Sequence, residues 1–552
     1  MPFRSSPRAL RSPSASLASL LLLSLGLPAA AATLSVGPGK AYATPCQALT
    51  RAAAGDVVEI DAAGTYSGDV CAFYANDLTI RGVNGRPKID AAGKNANGKG
   101  IWVVGGTRTT IDNVEMYGAK VPDQNGAALR LDGKHLTLRN SHLHHNENGI
   151  LTNNDGVSDI VVEDTEFGFN GYGDGYSHNL YVGKVNSLVF RYNFSHDANV
   201  GHNLKSRANT NTIAYNRFSS STGKPSYEID LPNAGTSVIL GNVIHQPADN
   251  NNPGLVAYGM EGASNAGKDL YVVNNTFIND RSSGGTFLLV GSGVTTPVLA
   301  QNNLFVGTGT FSTQGATVDR SNLKVASYAF VDRAGFDLRP ASGSPAVDAG
   351  TDAGATAAGA SLAATQEYLP TALFRSRAVS GRIDIGAYES GSAALTSGGG
   401  SSGNNGNGNG GSNGNGNGSG SGNSVSDGSW TPCAAENGTC AVSGMRTVRY
   451  GANGKYVYKT AMGNVACNNA TFGDPAMGVV KSCAVDASAA AVQTWSYCAG
   501  ENGSCAVSGT RQVRYGAGGR YAYKTVTGGV SCSNAVFGDP AVGVVKACEA
   551  SS

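Results

Sequence analysis

The stretch "TIAYNRF" (212–218) sets Asn216 between two apolar residues in the pattern apolar–x–x–Asn–x–apolar. The pattern returns as "VILGNVI" (238–244), "YVVNNTF" (271–277) and "VLAQNNLF" (298–305). The asparagines Asn216, Asn242, Asn275 and Asn303 are spaced by 26, 33 and 28 residues. Looser copies, "LTLRNSHL" (136–143) and "IVVEDTEF" (160–167), come earlier. Each copy follows a second short strand pattern, among them "GIWVVG", "AALRLDG", "NGILTN", "HNLYVG", "HNLKSR" and "YEIDLP". Short β segments recurring at such a period, with turns between, predict a parallel β-solenoid in which each repeat is one coil. Stacked coils let the asparagines form hydrogen-bonded ladders inside the turns. A β-sandwich would have no use for the repeated asparagine.

The chain around this repeat divides into further parts. Arg4, Arg8 and Arg11 precede the apolar run "LASLLLLSLGL", and "PAAAAT" supplies small residues for cleavage. Residues 1–32 therefore read as a secretory signal peptide, with an apolar run too short to serve as a membrane span. The solenoid is assigned to residues 33–390. Residues 391–429 are a Gly/Asn/Ser run that cannot bury apolar surface and reads as a flexible linker. Charged residues make up 14% of the chain and the net charge is +1, which supplies no argument for a nucleic-acid or membrane-surface partner.

The C-terminal part is an internal duplication. "CAAENGTCAVSGMRTVRYGANGKYVYKT" is repeated as "CAGENGSCAVSGTRQVRYGAGGRYAYKT", giving Cys-rich β modules at 430–484 and 495–550. Cys433, Cys440, Cys467 and Cys483 have the same spacings as Cys498, Cys505, Cys532 and Cys548. Four cysteines per copy predict two disulfides, with three connectivities open. Cys46 and Cys71 make up the remaining pair, and all ten suit an oxidising, extracellular or periplasmic compartment. The tyrosines of "VRYG", "YVYKT" and "YAYKT" are either sugar-stacking platforms or the core of each module.

Side chains alternate in and out along a strand. Placing Leu129, Leu131, Ile150, Thr152, Leu180, Val182, Leu204, Ser206, Ile229 and Leu231 inward leaves an outward stripe. It runs Trp102, then Arg130 and Asp132, Leu151 and Asn153, Asn179 and Tyr181, Asn203, Lys205 and Arg207, and Glu228 and Asp230. His178 and His202 flank it. Neighbouring coils lie about 4.8 Å apart, so these residues make one polar groove suited to an extended acidic polymer. The bland alternative is an ion-pair ladder of Lys205 and Arg207 against Glu228 and Asp230.

Three chemistries compete. β-Elimination on a uronate polymer needs cations to neutralise the C5 carboxylate, a base for the α-proton and an acid for the departing O4. Arg207 and Arg130 suit the first task, and Lys205, Tyr181 and His202 the others. Arg130, Asn153, Asn179, Asn203 and His178 are expected to bind substrate, and Glu228 and Asp230 to hold a Ca²⁺. Glycoside hydrolysis would use Glu228 and Asp230 as the carboxylate pair, with Asp132, Asp197 or Glu261 as alternates. The third reading is a non-catalytic glycan-binding protein or adhesin. "HLHH" (142–145) reads as turn and surface rather than as a metal site. A monomer is expected.

The entry segment "GPGKAYATPCQALTRAAAGDVVEIDAAGTYSGDV" and the exit "FDLRPASGSPAVDAG…IDIGAYE" resemble those of right-handed parallel β-helix proteins of the pectate-lyase-like superfamily. The resemblance implies an all-β, right-handed parallel β-helix, a fold that hosts lyases, hydrolases, epimerases and inert adhesins. Within "NLKSRANTNTIAYNRF", the Lys-Ser strand resembles that of calcium-dependent β-helix lyases acting on alginate and dermatan-type polymers, which implies Lys205 as base. That family's acidic calcium ligands find no acidic match in "DANVGHN", and its arginine on the next coil finds none in "YEIDLPN". The duplicated modules resemble small cysteine-rich modules appended to secreted polysaccharide-degrading enzymes, which implies carbohydrate binding.

Overall fold

In the computed structural model the described residues are 31–221, 225–250, 252–393, 430–452, 455–472, 478–486, 495–517, 520–539 and 546–551. The signal-peptide assignment, apart from its last two residues, and nearly all of the linker lie outside them. Three long parallel sheets form a β-helix. The front sheet has ten strands, from Cys71–Phe73 to Thr310–Ser312. The middle sheet has twelve, from Thr33–Val36 to Val318–Arg320, and the rear sheet eleven, from Tyr66–Ser67 to Leu323–Val325. Each coil visits front, middle and rear in turn.

The bend from middle to rear sheet explains the repeated asparagine. The residue before each ladder position has a left-handed backbone: Tyr192 (φ 62°), Tyr215 (57°), Gly241 (67°), Asn274 (51°) and Asn302 (57°). The left-handed residue turns the chain, and the asparagine behind it points into the helix. Asn216 donates from Nδ2 to Asn242 Oδ1, Asn242 to Asn275 and Asn275 to Asn303, each at 2.9 Å. The ladder runs further than the motif, from Asn193 at one end to Asn322 at the other. Each rung satisfies polar groups that would cost about 1–3 kcal/mol if left unpaired in the core.

Apolar residues of successive coils stack in register. Phe167, Phe190 and Phe218 are fully buried, with ring centroids 6.0 and 5.9 Å apart. The inward set on the front sheet is buried as expected. Trp102 differs: it pairs in register with Leu129 and is fully buried, so it points inward. Val103 takes the outward position beside Arg130.

The β-helix is capped at its start and covered along one side. The short helix Pro45–Leu49 caps the first coil and is tied to the front sheet by Cys46–Cys71. Past the last coil, the exit segment folds back along the helix. Asn274 donates to the Asp384 carbonyl at 3.0 Å, and Tyr215 Oη accepts from Thr365 N at 3.1 Å. Arg377 and Glu389 form a buried ion pair at 2.6 Å within this segment.

Each C-terminal module is a four-stranded antiparallel sheet. The disulfides pair neighbours in sequence: Cys433–Cys440 and Cys467–Cys483, then Cys498–Cys505 and Cys532–Cys548. Tyr450 and Tyr515 are fully buried and donate to Glu436 and Glu501, so these two tyrosines are core. The side chains of Tyr456, Tyr458, Tyr521 and Tyr523 lie outside the described residues. Among the described residues, no helix is long and apolar enough to cross a membrane.

Candidate functional site

The outward column of the front sheet is set by strand register. Arg130 lies beside Leu151, Leu151 beside Tyr181, Tyr181 beside Lys205, and Lys205 beside Asp230. Parallel pairing leaves no slack in this order, because a one-residue slip would turn every apolar neighbour outward. Arg130 is three coils from Lys205, about 14 Å. It is engaged with Asp132 at 3.3 Å, and Lys99 shares that carboxylate.

The centre is a group of six side chains. Lys205 Nζ is 3.1 Å from Asp230 Oδ2 and 3.2 Å from Glu261 Oε1. It lies 5.7 Å from the centre of the Tyr181 ring. Arg207 donates to Tyr181 Oη at 2.9 Å, to Asn233 Oδ1 at 2.6 Å and to Glu261 Oε2 at 2.6 Å. One carboxylate therefore bridges both cations. Glu261 arrives from two coils beyond Lys205, the coil after Asp230: Gly259 and Gly262 take positive φ values of 71° and 99°, and Glu261 N donates to the Pro232 carbonyl at 2.9 Å. The turn carries the side chain back over the preceding coil. Glu261 remains half-exposed, whereas Lys205 and Asp230 are buried.

These positions split the two carboxyls beside Lys205. Burial pushes Asp230 up to about 6, against the pull of Lys205. Burial acts in the same sense on Glu261, but hydrogen bonding to Arg207 and the charge of Lys205 outweigh it and hold Glu261 below the usual carboxylate range.

His202 and His178 play a different part from the one expected. Both are buried, and their rings stack at 4.6 Å. His178 Nδ1 accepts from His202 N at 3.0 Å, and His202 Nδ1 accepts from Tyr227 N at 3.1 Å. Each Nδ1 is thus an acceptor, and the ring proton sits on Nε2. His202 Nε2 faces Asp230 Oδ2 at 3.4 Å. Burial, reinforced by Lys205, pushes His202 down to about 3, so it stays neutral and takes up no proton. The pair packs behind Tyr181 and Asp230, with both Nδ1 atoms engaged by backbone N–H groups.

Three further expectations are corrected by the interior. Asn179, Asn203 and Glu228 are fully buried, not outward. They sit in the turn just before each front strand, where strict alternation has not begun. They form a second ladder: Asn146 donates to Asn170, Asn170 to Asn179, Asn179 to Asn203, and Asn203 to Glu228 Oε2. Glu228 closes the ladder, and burial pushes it up to about 8. Glu228 is enclosed in the interior and bonded to Asn203, apart from Asp230 in the groove, so the two do not form the accessible pair expected for Ca²⁺ or for hydrolysis. Arg207 pairs with Glu261, not with Glu228. Asn153 donates to the carbonyls of Asp132 and Gly133, so its amide nitrogen holds a turn. Asn233 and the bridging place of Glu261 were not legible in the repeat, because both belong to turns outside the strand pattern.

No family model matches the chain. A segment of 56 residues, 10% of this chain, is 46% identical to "Uncharacterized protein L701" of Acanthamoeba polyphaga mimivirus. The match spans 27% of that protein's length. Among solved structures, pectate lyase Pel9A aligns with a TM-score of 0.43 and 17% identity, over 62% of this chain and 90% of that one. A pectin methylesterase from Aspergillus niger aligns at 0.28 and 14% identity, over 53% and 93% of the two chains. The alginate lyase AlyGC aligns at 0.27 and 15% identity, over 54% and 53%.

Proposed function

We propose that the protein is a secreted polysaccharide lyase that cleaves an acidic, uronate-containing polymer by β-elimination at Lys205. The observation that carries this reading is the carboxylate of Glu261 astride Lys205 and Arg207. A uronate carboxylate entering the groove takes the place of Glu261 on Arg207, with Glu261 and the ammonium proton of Lys205 released to solvent. Arg207 then neutralises the C5 carboxylate and makes the α-proton acidic enough to remove. Lys205, as the free amine, takes that proton, and buried Asp230 holds the ammonium formed. The C5–H electrons become the C4=C5 double bond as the C4–O4 bond breaks. Tyr181 Oη donates its proton to the departing O4, and Arg207 Nε, already bonded to it, stabilises the phenolate left behind. The five disulfides suit an oxidising compartment. In this reading the duplicated modules hold the enzyme on insoluble glycan.

A glycoside hydrolase is the second reading, with a different pair from the one expected. Asp230, raised to about 6, suits a general acid, and Glu261, held low, suits a nucleophile or base. Both readings are tested by incubating the protein with alginate, pectate and glycosaminoglycans. Elimination gives products with the ultraviolet absorbance of an unsaturated uronate. Reducing ends without that absorbance would establish hydrolysis, and neither product from any polymer would overturn both.

A further inference from the structure

The rear sheet carries a histidine cluster that the groove does not use. Its strands Glu115–Tyr117, His142–His144 and Glu166–Gly168 run side by side. Glu115 is in register with His142, and His144 lies two residues along the same strand. Alternation puts all three side chains on the outer face. One ligand atom from each of Glu115, His142 and His144 falls within 4.8 Å of the others. The three are partly buried, so strand pairing holds them together while water still reaches them.

Hydrogen bonding distinguishes this cluster from its neighbour. His196, farther along the same face, is saturated: Nδ1 meets Asp197 at 2.7 Å and Nε2 meets Glu166 at 3.2 Å. His142 packs its ring against His144, with centroids 4.2 Å apart, and its side chain makes no hydrogen bond among the described residues. His144 Nδ1 faces His145 Nδ1 at 2.7 Å, which requires one shared proton. With that proton on His144, its Nε2 lone pair points at the Glu115 carboxylate 3.4 Å away. Whereas the other tautomer makes His144 Nε2–H an ordinary donor to Glu115, this one leaves a place for a cation between the two electron-rich atoms. The His144–His145 contact is then the outer hydrogen bond that metal-ligating histidines make through their second nitrogen.

We propose that Glu115, His142 and His144 form a binding site for a zinc-class divalent ion. Two imidazoles and one carboxylate favour Zn²⁺, Co²⁺, Ni²⁺ or Cu²⁺ over Ca²⁺ or Mg²⁺. Three protein ligands leave a fourth tetrahedral position for water or a small ligand. Ligands about 2.0 Å from a tetrahedral ion lie about 3.3 Å apart, so side-chain rotation closes the site without a backbone shift. Lys88 Nζ, 3.1 Å from Glu115, is mostly exposed and leaves for solvent as the ion enters. Bound ion would link two successive coils of the rear sheet.

The test uses the full chain without a histidine tag, stripped by chelator and titrated with Zn²⁺ and with Co²⁺. One equivalent binds, the Co²⁺ form shows the visible bands of a four-coordinate ion, and thermal unfolding shifts upward. Glu115→Gln and His142→Gln each weaken binding more than about tenfold, whereas His245→Gln, at an unrelated histidine, does not. Absence of a bound equivalent overturns the proposal. Equal affinity in Glu115→Gln and the parent overturns it as well, and that variant serves if His142→Gln does not fold. None of these readouts depends on polysaccharide cleavage.

Discussion

Lys205 Nζ and Asp230 Oδ2 are 3.1 Å apart on adjacent coils, both buried, with Lys205 also bound to half-exposed Glu261. One amine therefore sits between a fixed acid and an exchangeable one. That relationship frames what each substitution should do.

Lys205→Ala should abolish product formation while leaving the β-sheet circular dichroism intact. It also strands Asp230, and breaking a buried pair in this way costs about 3–5 kcal/mol. Asp230 already titrates near 6 and shifts higher without its partner. The cost should therefore be small at pH 5, where the carboxyl is neutral, and large at pH 8. Full activity in this variant would exclude Lys205 as the base.

Glu261→Gln separates the two proposed chemistries. If Glu261 only occupies the carboxylate fork, its neutral form competes less well, and KM for an acidic oligosaccharide should fall several-fold with kcat retained. If Glu261 is a hydrolytic nucleophile or base, kcat should collapse. Steady-state kinetics on one uronate oligomer distinguish the outcomes.

Glu228→Gln should remove a pH dependence of stability. Burial raises Glu228 from the ordinary 4.5 to about 8. The folded state thus holds a proton that the unfolded state releases between those values, and stability falls as pH rises through the window. Relative to the parent, the variant should be close in stability at pH 5 and more stable at pH 8, by on the order of a few kcal/mol, with a higher Tm there. Parallel Tm curves from pH 5 to 9 would contradict the neutral carboxyl.

Removal of residues 391–552 should leave the β-helix folded and active on soluble polymer, because its interior core draws on no residue beyond the coils and the exit-segment residues packed on its outer side precede residue 391. Binding to insoluble polymer should weaken. Unchanged retention in a sedimentation assay would remove the glycan role from the modules.

The β-helix was legible because its two strongest signals are local. The asparagine behind a bend and the alternation within a strand each need only a few residues, and stacking repeats them until chance is excluded. The same alternation correctly set Lys205 beside Tyr181 and Asp230. It failed at Asn179, Asn203 and Glu228, one residue before each front strand. There the turn, not the pleat, directs the side chain, and all three enter an interior ladder. Trp102 failed for a related reason: in "GIWVVG" every residue is apolar, so nothing in the pattern marks the inward phase. Only pairing with Leu129 sets it.

The sequence by itself determined the coil repeat, the ladder of Asn216, Asn242, Asn275 and Asn303, the duplicated cysteine modules and the column holding Lys205. Each follows from a repeated pattern, of burial in the coils and of cysteine spacing in the modules, which the order of residues records directly. Tertiary structure alone decided that Glu228 is an interior acid, that His178 and His202 pack behind Tyr181 and Asp230, and that Glu261 bridges Lys205 and Arg207. It also brought Glu115 into register with His142 on the rear sheet. These depend on where turns of unequal length return the chain, and a side chain placed by a turn does not recur from coil to coil as the ladder asparagines do.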